Sequence, residues 1–162
     1  MTELNASDLT LTPSPARRFS AAAMLVLLAL ILVWVVSRPE GLGLGWSAML
    51  VAMAAGALFL AWKLWVVTGQ RLILTEDELR QENGPVLCRI EDVAGVERGT
   101  FAFKPSNGFV IRLKTRAPRG WAPGLWWRLG KRIGVGGVTP AGQGKAMADV
   151  IAARVAGMGR ID

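Results

Sequence analysis

Two long stretches of the chain carry no charge, and they leave little choice of fold. Phe19–Val36 is 18 uncharged residues and Leu42–Trp62 is 21. As a helix rising about 1.5 Å per residue, the first spans ~27 Å, close to the hydrocarbon thickness of a bilayer. The second stays apolar past Lys63 to Val67, and only Ser37, Arg38, Pro39, Glu40 and Gly41 separate the two. A soluble surface helix needs a polar face, and runs of this length have none. The pattern predicts a transmembrane hairpin with helices over about 19–37 and 43–67, preceded by residues 1–18 as a cytoplasmic tail. Arg17 and Arg18 precede the first run, so a signal peptide is the competing account, and ARRFSAA partly matches a twin-arginine signal. Against it, the run exceeds the ~7–15 residues of a signal h-region, no A-x-A-like cleavage site follows, and a second apolar run does.

Basic residues set the orientation. Arg17 and Arg18 lie before the first helix, Lys63 and Arg71 flank the end of the second, and the connecting turn balances Arg38 with Glu40. Both termini are therefore expected in the cytoplasm and the chain in the inner (plasma) membrane. Trp34 and Trp46 flank the outer turn, and Trp62 and Trp65 the inner end, as interfacial belts do. Ala48, Ala52 and Gly56 recur every four residues in the second helix. Small residues at that spacing allow close helix packing, either on the first helix or on another subunit.

Residues 71–162 differ in kind. They hold 15 of the 19 basic residues of the chain against 9 acids, and so most of its net charge of +7. Short β-rich runs dominate: Arg71–Thr75, Leu79–Glu82, Pro85–Ile90, Ala94–Phe103, Phe109–Lys114 and Arg132–Val135. Asn83-Gly84 marks a hairpin. A final helix is expected with Thr139 as cap, Pro140 in the first position and Gly157 or Gly159 at its end. Met147, Val150, Ile151, Val155 and Met158 would form its apolar face, laid across a curved antiparallel sheet.

The order of these elements, with Leu72, Leu74, Thr75 and Leu79 opening the domain and Ile90, Val93 and Val96 after the third strand, resembles bacterial membrane proteins that carry a pleckstrin-homology-like (PH-like) domain. The resemblance covers about residues 70–156. It implies an α+β membrane protein: a two-helix transmembrane hairpin, then a PH-like domain over 70–157, then a tail at 158–162. The domain would be a seven-stranded, partly open antiparallel β-barrel or sandwich with a C-terminal capping helix. The family's members are mostly of unassigned function, and no lipid-binding residues of the eukaryotic namesake map onto this chain.

The richest candidate surface runs from Arg112 to Arg132. It carries Arg112, Lys114, Arg116, Arg119, Arg128, Lys131 and Arg132 with no acid between, interleaved with Trp121, Trp126 and Trp127. As a short helix, Pro123–Lys131 would put Leu125, Trp126 and Leu129 on one side and Arg128, Lys131 and Arg132 on another. Such a segment suits an anionic bilayer surface. Packing of the tryptophans in the core, with solvated bases, is the competing account. Nucleic acid would also suit bases interleaved with aromatics, but a bilayer tether disfavours it.

Catalytic chemistry finds little footing. There is no His and one Cys, which excludes a His base, a Cys–His nucleophile and a disulfide framework. The GVGGVTPAGQGKA run fails as a phosphate loop: Thr139 stands where the first Gly belongs and Ala146 where Ser or Thr must hold the metal. Its glycines are expected to serve a tight turn. Cys88 is expected as a buried free thiol, and Glu76, Asp77 and Glu78, like Glu91 and Asp92, as solvated turn acids. No cofactor, metal or small-molecule substrate is expected. The expectation is a membrane-anchored binding or scaffolding module that engages a membrane protein, a peptide or an anionic lipid surface, without enzymatic activity. The alternative is self-association, or an accessory subunit of a transporter or envelope-assembly complex.

Overall fold

The computed structural model describes residues 8–38, 43–97 and 105–158. Two apolar helices dominate one end: α1 (Pro15–Val36) and α2 (Leu44–Val67). Both are long and apolar enough to cross a membrane. α1 starts four residues earlier than the uncharged run, because Pro15 suits the first helical position, so Arg17 and Arg18 lie in its first turns. Ala54, Ala57, Ala61 and Leu64, spaced three, four and three apart, form the buried stripe of α2. Ala54 and Ala57 cluster with Ala29 and Leu32 of α1. The stripe expected from the sequence is on another side: Ala48, Ala52 and Gly56 are exposed, and a Cβ on Gly56 would meet nothing within 4 Å. Those three residues do not pack the hairpin.

The rest of the described residues form nine short strands, a 3₁₀ turn and one further α-helix around a single core. The first strand, β1 (Leu9–Leu11), lies inside the segment expected to be a tail. It precedes α1 yet pairs antiparallel with β2 (Leu72–Leu74), the strand that follows α2. Leu11 and Leu72 are opposite each other and fully buried. Three residues carry too little β signal to be read alone, which is why the sequence concealed this strand. β3 (Glu78–Gln81) and β4 (Val86–Arg89) complete a first sheet of order β1-β2-β3-β4. The Asn83-Gly84 turn joins them as expected, with the Gly84 N–H donating to the Gln81 carbonyl at 3.1 Å.

A 3₁₀ turn at Ile90–Asp92 carries the chain into the second sheet. That sheet contains β5 (Val93–Glu97), β6 (Phe109–Leu113), β7 (Gly120–Ala122), β8 (Trp126–Leu129) and β9 (Arg132–Val135), in the order β5-β6-β9-β8-β7. The rest of the expected strand Ala94–Phe103 lies outside the described residues. Pro123–Lys131 is a hairpin turn and strand, not a short helix. Trp126 and Trp127 are bulky aromatics that favour a strand, and Gly124 takes φ +76°, which closes a turn and suits no helix.

Leu79, Leu87, Phe109, Ile111, Leu125 and Ile133 fill the space between the sheets. α3 (Ala141–Met158) covers it, burying Gly144, Met147, Ala148 and Ile151. Met158, expected on that face, is exposed. Thr139 does not cap the helix: its hydroxyl is buried with no hydrogen-bond partner among the described residues. The first helical bond runs instead from the Gly144 N–H to the Pro140 carbonyl at 3.1 Å. Gly136 and Gly137, at φ +140° and +121°, form the tight turn expected before α3. Gly134 has a different role. It lies in β9 opposite Trp127, whose indole occupies the space a Cβ would need, 2.2 Å away.

The two faces of α2 should therefore respond differently to bulk. Ala57→Leu overpacks the contact with α1 and should lower unfolding stability in detergent by about 1–3 kcal/mol. Gly56→Leu should leave the unfolding midpoint of the hairpin within the scatter of the wild type. Thermal melts of the two variants check both.

Candidate functional site

The β7–β8 hairpin determines what becomes of the Trp- and Arg-rich segment. Its turn sits against the domain-side end of α2, so that a Cβ on Gly124 would lie 3.3 Å from Thr68 Cγ2 and 3.6 Å from Leu64 Cδ1. Trp121, 52% exposed, is on the same flank, with Lys63 Nζ 4.8 Å from its ring centroid. Trp126 turns inward and is buried, its Nε1 donating to Gln81 Oε1 at 2.8 Å. The Gln81 amide in turn donates to Gln70 Oε1, just beyond α2. A polar chain thus links the second sheet, the first sheet and the helix exit. Buried indole and amide groups need such partners, since each unpaired one costs about 1–3 kcal/mol.

Arg128 is also structural. Its Nε donates to the Pro118 carbonyl at 2.6 Å, and its Nη1 to the carbonyls of Val86 at 3.0 Å and Leu87 at 2.9 Å. β4 is an edge strand of the first sheet, and the guanidinium takes the place of a ladder neighbour for its outward carbonyls. Sequence reasoning placed Arg128 and Trp126 on the binding surface. The structure uses one to bridge the sheets and the other as core.

The remaining residues divide by strand register. Trp121 pairs with Trp127 and Trp127 with Gly134; Leu129 pairs with Arg132 and Arg132 with Arg112. Side chains alternate along strands, so Trp121, Trp127, Leu129, Arg132 and Arg112 share the outer face of the second sheet. Leu129 is 57% exposed there. Arg112 forms an ion pair with Glu97 at 3.5 Å. Lys114, Arg116, Arg119 and Lys131 are exposed in the adjoining loops. The Arg112–Arg132 pair lies three residues along from Phe109–Val135, about 10 Å along the strands, at the end away from the Gly124 turn that meets α2.

The helix-side junction is denser. The Ser14 N–H donates to the Val138 carbonyl at 2.9 Å, and Arg17 Nη1 to the Thr139 carbonyl at 2.8 Å. Arg18 stacks 4.0 Å over the Trp65 ring and donates to its carbonyl at 2.6 Å. At the other end of the hairpin, Arg38 stacks over Trp34 at 3.9 Å.

At the end of the domain away from the helices lies a cleft of about 760 Å³, framed by Glu76, Asp77, Glu78, Glu91, Ile90 and Met158. Arg154 closes one wall by donating to the carbonyls of Thr75 and Glu76. The sequence showed these acids only as turn residues, because the fold is what gathers the β2–β3 turn, the 3₁₀ turn and the end of α3. Among the described residues no group of three or more His, Cys, Asp or Glu is placed to hold a metal. Cys88 is buried and free, and burial pushes its thiol up to about 12, with Asp92 adding to the shift and Arg128 opposing it. It is a neutral packing group rather than a nucleophile.

No family model matches this chain, and neither does any curated protein or solved structure.

Two outcomes follow. Arg128→Ala strands two edge carbonyls and should destabilise the domain by about 1–3 kcal/mol. Arg128→Lys should recover less than half of that, because an ammonium cannot span three acceptors with one planar fork; denaturant unfolding of the three proteins measures it. Cys88 should resist a thiol reagent at pH 8 until the protein is denatured. Its folded pKa lies above the ordinary thiol value of 9.0, so the unfolded state loses its proton first. Stability should then fall as pH rises from about 9 towards 12, and Cys88→Ala should flatten that part of the profile.

Proposed function

We propose that this chain is an integral protein of the inner (plasma) membrane, with two spans and both termini cytoplasmic. It carries a PH-like domain that binds a protein partner and has no catalytic role. The observation that carries the reading is the β1–β2 pairing. It brings the residues before α1 and those after α2 into one sheet, on one side of the hairpin, as two crossings require. Two antiparallel sheets closed by a C-terminal helix support the PH-like assignment, although the described residues form nine strands where the resemblance implies seven, β1 being one of the additions.

The outer face of the second sheet is the binding surface in this reading. It combines exposed Trp121 and Leu129 with Arg112 and Arg132, a mixture common at protein interfaces. The bases lie at the end of the strands away from the helices. That favours an acidic partner protein over the bilayer surface as the occupant. The stripe Ala48, Ala52 and Gly56, turned away from α1, favours a second reading: self-association, or assembly as a subunit of a transporter or envelope complex.

Membrane integration is tested by alkaline carbonate extraction and by a reporter fused after Asp162. The protein should stay in the pellet and the reporter should be active in the cytoplasm; release into the supernatant would remove the basis for the reading. A photo-crosslinker at Leu129 in intact membranes should give a discrete protein adduct, lost in the double variant R112E/R132E. Adducts to lipid alone would overturn the protein-partner assignment. For the second reading, Gly56→Ile should abolish a crosslinked dimer, and a monomer in native detergent would count against it.

A further inference from the structure

We propose that the groove between α1 and α2 on the domain side is a phospholipid site. It would hold one acyl chain of an anionic lipid, with the lipid phosphate beside Arg18. This rests on the reading that the two helices span a bilayer. The groove has a volume of about 600 Å³ and is lined by Phe19, Val26 and Leu30 of α1 and by Leu58, Trp62 and Trp65 of α2, with alanines between them. From Phe19 to Leu30 it runs eleven residues, about 16 Å of helix, or about one leaflet of a ~30 Å hydrocarbon core. A bilayer does not leave such a groove empty, because the lining would forfeit its dispersion contacts. Its occupant is a lipid tail or another helix.

The mouth of the groove favours the lipid. Arg18 stacks on Trp65, itself part of the lining. Among the described residues its Nε is buried with no hydrogen-bond partner, and its guanidinium donates only through Nη2, to the Trp65 carbonyl. Lys63 follows Trp62 at the same level, and neither helix contains an Asp or Glu. The apolar flank of a partner helix would offer the Arg18 guanidinium no counter-charge. A lipid phosphate would pair with its accessible edge in a charge-assisted bond. The small side chains at 22, 23 and 61 give the tail its room.

The experiment uses the full chain in mild detergent with an equimolar mixture of phosphatidylglycerol and phosphatidylcholine of identical tails, read by native mass spectrometry. The wild type should retain one lipid per chain, with phosphatidylglycerol favoured about fivefold, the equivalent of ~1 kcal/mol from one well-placed cation. Arg18→Gln should bring that ratio close to one and Arg18→Lys should restore part of it. Arg38→Gln, which removes a cation at the opposite end, should leave it unchanged. Ala23→Phe should reduce retention of both lipids. A wild-type ratio near one, a preference that survives Arg18→Gln, unaltered retention in Ala23→Phe, or a lipid-free dimer would each overturn the proposal. Failure of the membrane reading itself looks different, since the protein would then stay in solution without detergent and in the carbonate supernatant.

Discussion

The three residue pairs between β1 and β2 hold the molecule in one piece. Leu9, Thr10 and Leu11 face Leu74, Ile73 and Leu72, and a three-residue strand has little stability alone. Here its neighbours are already in place. Packing of α1 on α2 brings the two chain ends together, so the entropy of closing a loop of about sixty residues is offset by the hairpin. The ladder in turn clamps the open end of the hairpin. Only Thr12–Ser14 separates β1 from α1, and Thr68–Arg71 separates α2 from β2. The domain is joined to its helices by two short segments and by a sheet built from both of them.

The contacts around that ladder are mostly polar, and each supplies a partner to a group left open by the short strands. The Arg17 and Ser14 bonds bring the start of α1 to the turn before α3. The Gln70–Gln81–Trp126 chain and the Arg128 fork perform the same service between the sheets. Strands of three to five residues cannot bury much surface individually. Side chains that satisfy backbone or amide groups on a different element fix how the sheets sit on each other. This explains why residues that look functional in the sequence, a Trp and an Arg in a basic run, are committed to architecture.

What could be read from the sequence followed from signals that stand alone. Uncharged length identified both apolar helices, a β-rich run found β6, Asn83-Gly84 found the β3–β4 hairpin, and spacing found Met147 and Ile151, half of the buried face of α3. The misreadings share one cause. β1 is too short to carry a pattern. Pro123–Lys131 has helical spacing for its bulky residues but strand propensity at Trp126 and Trp127, and the tertiary pairing with β9 decided between them. The sequence shows a stripe of small residues at Ala48, Ala52 and Gly56, yet which of two small-residue faces meets α1 is settled by Ala54, Ala57 and Ala61 and not by composition. For the candidate surface, register was the missing information. Arg112 and Arg132 come to lie side by side only because β6 and β9 are adjacent, twenty residues apart in the chain.

A domain held this way differs from one on a flexible tether. A loose linker lets a module sample many orientations, and its effective concentration for a neighbour is spread over all of them. Here the ladder and the Arg17 and Lys63 contacts give one orientation. A partner would then meet the second sheet at a fixed height and angle above the helices. Rotational freedom that a free domain must surrender on binding is already surrendered in folding. In the proposed reading, a modest patch, two arginines beside Trp121, Trp127 and Leu129, would then suffice for selective recognition within the plane of the membrane. The same rigidity works in reverse, because any shift between α1 and α2 moves β1 against β2 and so reaches the sheet core at Leu11 and Leu72 directly.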